Sequence, residues 1–160
     1  VTIHRGFLAV DKTLLAWALR TSESKPSTRM SASGKAWHYE IGEDRQGEAF
    51  TRVPFLRAVV DLTGEGAPPS LVRWWANVLR AGAEYSPHKH DGKWAFVYHL
   101  TEGSAVRFEG GPSFEATPGQ ILVFDSKLLH WTDAVTGDAP RVSIAGNLHF
   151  KSVPRVEHGA

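Results

Sequence analysis

The 160-residue chain carries 18 Lys and Arg against 17 Asp and Glu, so it lacks the basic excess that broad nucleic-acid binding requires. It has no cysteine, which excludes disulfides, thiolate zinc sites and cysteine nucleophiles; any protein-held metal must be ligated by His, Asp or Glu. At 42% hydrophobic and 22% charged residues the composition is that of a folded soluble chain, long enough for one domain with a proper core. No stretch reads as a signal peptide or approaches the roughly 20 apolar residues of a membrane span, so the expectation is a cytoplasmic protein with no membrane partner.

In chain order, Asp11 is placed to cap a helix running to about Arg20, with Leu14, Leu15, Ala18 and Leu19 on one face. Thr21–Lys35, rich in Ser, Thr and Lys, reads as a solvated loop, with a lid over a site as its functional alternative. Ala36–Ile41 reads as a short strand. Pro54 suits the first turn of a second helix that Gly64 stops, and the Gly- and Pro-rich stretch 64–70 follows as a linker. From Leu71 the pattern changes to short strands: Leu71–Leu79, Trp94–Leu100, Ala105–Phe108, Ile121–Phe124 and Arg141–Phe150, separated by Gly, Pro and Asp. Strands at such spacing predict a mainly β sandwich or barrel, here a jelly roll with N-terminal helices packed outside. One domain is expected over residues 1–160: a helical and irregular part, 1–70, and a β core, 71–150.

Eight histidines stand out, and six of them (His88, His90, His99, His130, His149, His158) fall in the second half. On an extended strand alternate side chains share a face, so His88 and His90 point one way and Lys89 the other. A third ligand has to come from a distant strand. His130 is the best placed, because it follows the apolar strand Ile121–Phe124 and the short turn Asp125–Leu129. Three neutral imidazoles leave positions open for oxygen or substrate and suit Fe(II), Ni(II), Cu(II), Mn(II) or Zn(II). Asp91 has the wrong alternation for the set unless a bulge re-aims it. His4, His38, His149 and His158 receive no role. Arg73, Trp75 and Asn77 share one strand face, and Arg141 and Ser143 share another.

One ordered series of residues carries a family likeness: Trp75-Ala76-Asn77, then His88-Lys89-His90, then Phe96-Val97-Tyr98-His99-Leu100. It continues with Pro118-Gly119, the strand Ile121–Phe124, His130, and Arg141-Val142-Ser143-Ile144. This second half of the chain resembles the 2-oxoglutarate/Fe(II)-dependent oxygenases, in particular the small bacterial and phage type. The resemblance implies a double-stranded β-helix (jelly roll, cupin-like) with Fe(II) on His88, His90 and His130. It implies 2-oxoglutarate as cosubstrate, its far carboxylate on Arg141 and Ser143, which lie on a strand neighbouring that of His130. Asn77 is placed against cosubstrate or substrate. His99 stands where the family usually has a tyrosine that reaches the oxo acid. The implied reaction is hydroxylation, or another oxidation, of an unactivated C–H bond in a small-molecule or peptidyl substrate. Trp75, Tyr85, Trp94 and Trp131 are expected to wall the substrate's entry.

Cupins share this jelly roll. Gly82, His88, His90 and Gly103 fit their first motif, but Phe96 stands where its ligand glutamate should be. A three-histidine cupin metalloenzyme (dioxygenase or isomerase) that needs no oxo acid is therefore the alternative, with a non-enzymatic jelly-roll binding module behind it. Arg141-x-Ser143 after His130 favours the oxygenase. A barrel edge or an aromatic patch would be compatible with a homodimer.

Overall fold

The computed structural model describes residues 1–27, 35–41, 58–59, 61–64 and 70–149. Its strands are β1 (Ile3–Phe7), β2 (Ala36–Glu40), β3 (Ser70–Leu79), β4 (Tyr85–His88), β5 (Trp94–His99), β6 (Gly103–Phe108), β7 (Ser113–Ala116), β8 (Gln120–Asp125), β9 (His130–Thr132) and β10 (Arg141–His149). One helix, α1 (Lys12–Ser24), lies between β1 and β2. A six-stranded sheet runs β1-β8-β5-β10-β3-β2 and a four-stranded sheet runs β4-β9-β6-β7, with antiparallel pairing throughout. This is the expected jelly roll.

The cap of α1 is the one expected: the Asp11 side chain accepts from the Leu14 N–H at 2.9 Å. The helix runs one turn beyond Arg20. Leu14, Trp17, Ala18 and Thr21 are buried at the spacing of one helical face, and the Thr21 hydroxyl donates back to the Trp17 carbonyl at 2.6 Å. Part of the proposed loop is thus helix, and residues 28–34 of it lie outside the described residues. So do residues 54–57 and 65–69. Residues 58–59 and 61–63 are helical as expected, and Val59 is in the core.

The first seventy residues also contribute strands. β2, the short strand expected at 36–41, pairs with β3, and β1, which was not expected, pairs with β8, so both edges of the large sheet come from the first seventy residues. IHRGF has no alternating apolar pattern; partner strands, not its own sequence, make it a strand.

Two apolar cores flank the large sheet. Leu14, Trp17 and Ala18 of α1 pack with Trp37, Trp74, Ala76, Phe96, Tyr98, Ile121, Val123 and Ile144 on its outer face. Trp75, Val97, Leu122, Phe124 and Ala145 of its inner face pack with Val106 and Phe108 of the small sheet. Each fully buried large apolar side chain stabilises the fold by about 1.5–3 kcal/mol. Because both faces are covered, β5 and β10 are buried almost end to end. Beyond the inner core the two sheets stay apart, and a pocket opens between them.

Candidate metal centre and oxo-acid pocket

His88 closes β4 directly opposite His130 on β9, their ring centroids 4.3 Å apart. Pro87 fits β4 because that strand is a sheet edge with a register shift, where a missing N–H costs no ladder bond. His90 lies past the end of the strand. Its backbone N–H donates to the Ser126 carbonyl at 2.8 Å, and the Lys127 ammonium donates to its carbonyl at 3.1 Å. The 125–129 turn, itself closed by Leu128 N–H to the Asp125 carbonyl, thus holds the second ligand beside the third. One ligand atom from each of His88, His90 and His130 lies within 4.8 Å of the others.

The donor set fits a divalent transition metal. Nδ1 of His88 donates to the Ser86 carbonyl at 2.7 Å and Nδ1 of His130 to the Leu128 carbonyl at 2.9 Å, which leaves each Nε2 as a lone pair. Nε2 of His90 stands 3.0 Å from Nε2 of His130, the separation of two nitrogens each about 2.0–2.1 Å from one ion. Burial pushes His130 down to about 4, with the nearby His88 acting in the same direction, so its imidazole is neutral near pH 7. Asp91 is exposed and stands outside the cluster; its charge acts on Arg73 instead. The candidate ligand set is the three histidines His88, His90 and His130.

The pocket has a volume of about 420 Å³, within the range of small-molecule sites. Besides the triad it is lined by Arg141 and Ser143 of β10, by Trp75 and Asn77 of β3, and by Tyr85. The expected facing of Trp75 with Asn77, and of Arg141 with Ser143, holds. Arg141 lines it while being only 2% exposed. Its Nε donates to the Ser104 carbonyl at 3.0 Å, while Nη2 has no hydrogen-bond partner. Burial lowers its pKa to about 10, with Tyr85 opposing, and it remains a cation near pH 7. The Tyr85 hydroxyl donates to Oδ1 of Asn77 at 2.7 Å and fixes the amide in the pocket wall.

Several expectations change. β9 and β10 are not neighbours: His130 is on the small sheet and Arg141 on the large one, so the triad and the guanidinium face each other across the interior. Trp94 lies on the outer face of β5, packed against the helix-side core and edge-on to His4 at 5.5 Å. Trp131 alternates with the pocket residues His130 and Thr132 and points away from the pocket. His99 is completely buried and does not line the pocket, although it pairs directly with Ser143. Burial and the Arg141 charge hold it well below the ordinary imidazole value, hence neutral. Lys89 is exposed, yet it reaches the pocket rim with Glu84 and Ser86.

His38 is a pocket residue that sequence reasoning left without a role. It lies opposite Asn77, stacks on Trp75 at 5.2 Å and contacts Glu40 through Nε2 at 3.4 Å. Trp75 in turn stacks on His90 at 5.4 Å, so the indole is held between two imidazoles. Its only signal in sequence is a His among aromatics on a short strand.

The sequence matches no protein-family model and no curated protein. Solved structures share its fold. A 2OG-Fe(II) oxygenase-family oxidoreductase from Burkholderia pseudomallei is 15% identical over 91% of this chain and 83% of its own, with a TM-score of 0.66. The epimerase SnoN, solved with Fe3+, α-ketoglutarate and nogalamycin RO, is 14% identical over 98% of this chain and 87% of its own, with a TM-score of 0.67. A cupin-like protein from Thermotoga maritima is 16% identical over 77% of this chain and 78% of its own, with a TM-score of 0.50. These likenesses establish the double-stranded β-helix fold that such oxygenases and cupin-like proteins have in common.

Proposed function

We propose that this chain is a 2-oxoglutarate/Fe(II)-dependent oxygenase that hydroxylates, or otherwise oxidises, a C–H bond of a small-molecule or peptidyl substrate. The observation that carries the reading is a buried guanidinium facing a three-imidazole cluster across one pocket, with Nη2 unpartnered. Among the described residues no carboxylate forms an ion pair with Arg141. A buried cation without a partner is costly, and an anionic ligand relieves that cost.

His88, His90 and His130 would hold Fe(II). Arg141 would take the far carboxylate of 2-oxoglutarate in two charge-assisted bonds, with the Ser143 hydroxyl as a further donor. Asn77, fixed by Tyr85, borders the same space. Fe(II) with 2-oxoglutarate and O2 supplies the oxidation: one oxygen atom ends in succinate beside released CO2, the other in the hydroxylated product. The protein's part is to orient the oxo acid and to present the substrate C–H bond from the side of Trp75, Tyr85 and His38. The apolar walls Val97, Val106 and Ala145 keep water from the centre of the pocket.

Anaerobic addition of 2-oxoglutarate to the Fe(II)-loaded protein should give a weak visible charge-transfer band and raise the melting temperature. A protein that binds metal at the triad but responds to no oxo acid would instead be a three-histidine cupin metalloenzyme. The all-nitrogen ligand set is the observation that favours that second reading.

A further inference from the structure

Arg141 faces the pocket, but the groups behind it do not line that pocket. Its stem crosses Gly103, where an added Cβ would stand 3.1 Å from the Arg141 Cγ, and its Nε is tied to the backbone of Ser104. His99 sits opposite Ser143 in the β10/β5 register. The β5/β8 register reaches Tyr98 opposite Ile121, so the next step brings Gln120 beside His99 on the inner face. His99 and Gln120 are 0% and 3% exposed.

Five buried atoms of these four residues have no hydrogen-bond partner: Nδ1 and Nε2 of His99, Oγ of Ser104, Oε1 of Gln120 and Nη2 of Arg141. Of these four residues only Arg141 also lines the pocket. Nη2 can only donate and Oε1 can only accept. A neutral His99 has one donor and one acceptor, and the Ser104 hydroxyl is both. Water, which donates two bonds and accepts two, matches this mixture. A small anion would satisfy the donors but leave Oε1 of Gln120 and the bare nitrogen of His99 unpaired. Unpaired polar atoms in such a place are normally reconciled by internal water.

We propose that His99, Gln120 and Ser104 enclose ordered water behind Arg141 and act through it as positioning residues that aim the guanidinium at the oxo acid. The inference rests on the oxygenase reading above. His99 is then no contact of the oxo acid, which separates it from a tyrosine that touches the ligand directly.

The test is calorimetric titration of 2-oxoglutarate into the Co(II)-loaded full chain, with Co(II) affinity measured alongside. His99→Phe and Gln120→Leu should each weaken 2-oxoglutarate binding roughly tenfold, as loss of a supporting partner does at other ligand sites, and leave Co(II) affinity unchanged. His99→Asn, which keeps a donor and an acceptor, should recover most of the loss; a purely structural role predicts no such recovery. A high-resolution crystal structure of the wild type should show water bridging His99, Gln120 and Arg141. If His99→Phe does not fold, Gln120→Leu and the wild-type crystal structure decide. Wild-type binding matched by both variants, or a dry or anion-filled cluster, overturns the inference and leaves the oxygenase reading intact. A wild type that takes up Co(II) but no oxo acid overturns the oxygenase reading itself.

Discussion

Arg141 is a cation almost withdrawn from solvent, and its surroundings compensate it only in part. One backbone carbonyl accepts from Nε, and Nη2 has no hydrogen-bond partner. Arg141→Ala should therefore lower affinity for 2-oxoglutarate on the order of 30-fold or more, the loss expected when one member of a buried charged pair is removed. Metal affinity should stay the same, because the triad lies on other strands; parallel titrations of metal and oxo acid check both halves. Arg141→Lys should recover little, since an ammonium cannot form two parallel bonds to a carboxylate. His88→Ala and His130→Ala should do the reverse and abolish metal-induced stabilisation in a thermal melt. For the wild type with metal at a hundred times its Kd, that stabilisation is about 2.7 kcal/mol.

Among the elements, α1 and the centre of the large sheet carry the sharpest constraints. The Tyr98 hydroxyl donates to the Ala9 carbonyl at 2.7 Å and accepts from the Asp11 N–H at 3.1 Å, so a strand side chain pins the entry to the helix. Asp11→Ala removes the cap and should cost about 1 kcal/mol in urea unfolding, with metal binding unchanged. Gly146 allows no side chain: a Cβ there would lie 2.5 Å from the Arg73 carbonyl and 2.7 Å from the Phe96 ring. Gly146→Ala should destabilise the fold by roughly 1–3 kcal/mol, read from the same unfolding curves. What could be read ahead follows from the same geometry. The HxH pair and the distant His130 are visible through ligand chemistry, although His90 lies past the end of β4, and the alternation of Arg141 with Ser143 is visible through strand period. Trp94 was misplaced because β5 is buried on both faces, and apolar content then cannot say which face meets the pocket. His38 escaped notice because its place beside Asn77 depends on cross-strand register, which its own strand does not encode.

At the scale of the whole molecule, buried neutral histidines tie stability to pH. In the metal-free protein His99 lies well below the ordinary imidazole value and His130 at about 4. Below the unfolded value of about 6.5 the unfolded chain takes up protons that these two sites refuse. Their contribution is thus present above that pH and is lost progressively as pH falls toward the folded values. Urea midpoints measured from pH 8 to pH 5 should decline for the wild type, and His99→Asn should make the decline shallower.

The large sheet's outer edge has a consequence for the order of folding. β1 precedes every other described strand in the chain, yet its register partner is β8, with Ile3 opposite Phe124. The first strand must wait for nearly all of the barrel before it can pair, which makes its docking a late and non-local event. Until then β8 presents an open edge, and a chain shortened by its first ten residues would present that edge permanently. Such a truncation should retain the triad but self-associate through β8, a change in state that light scattering would register.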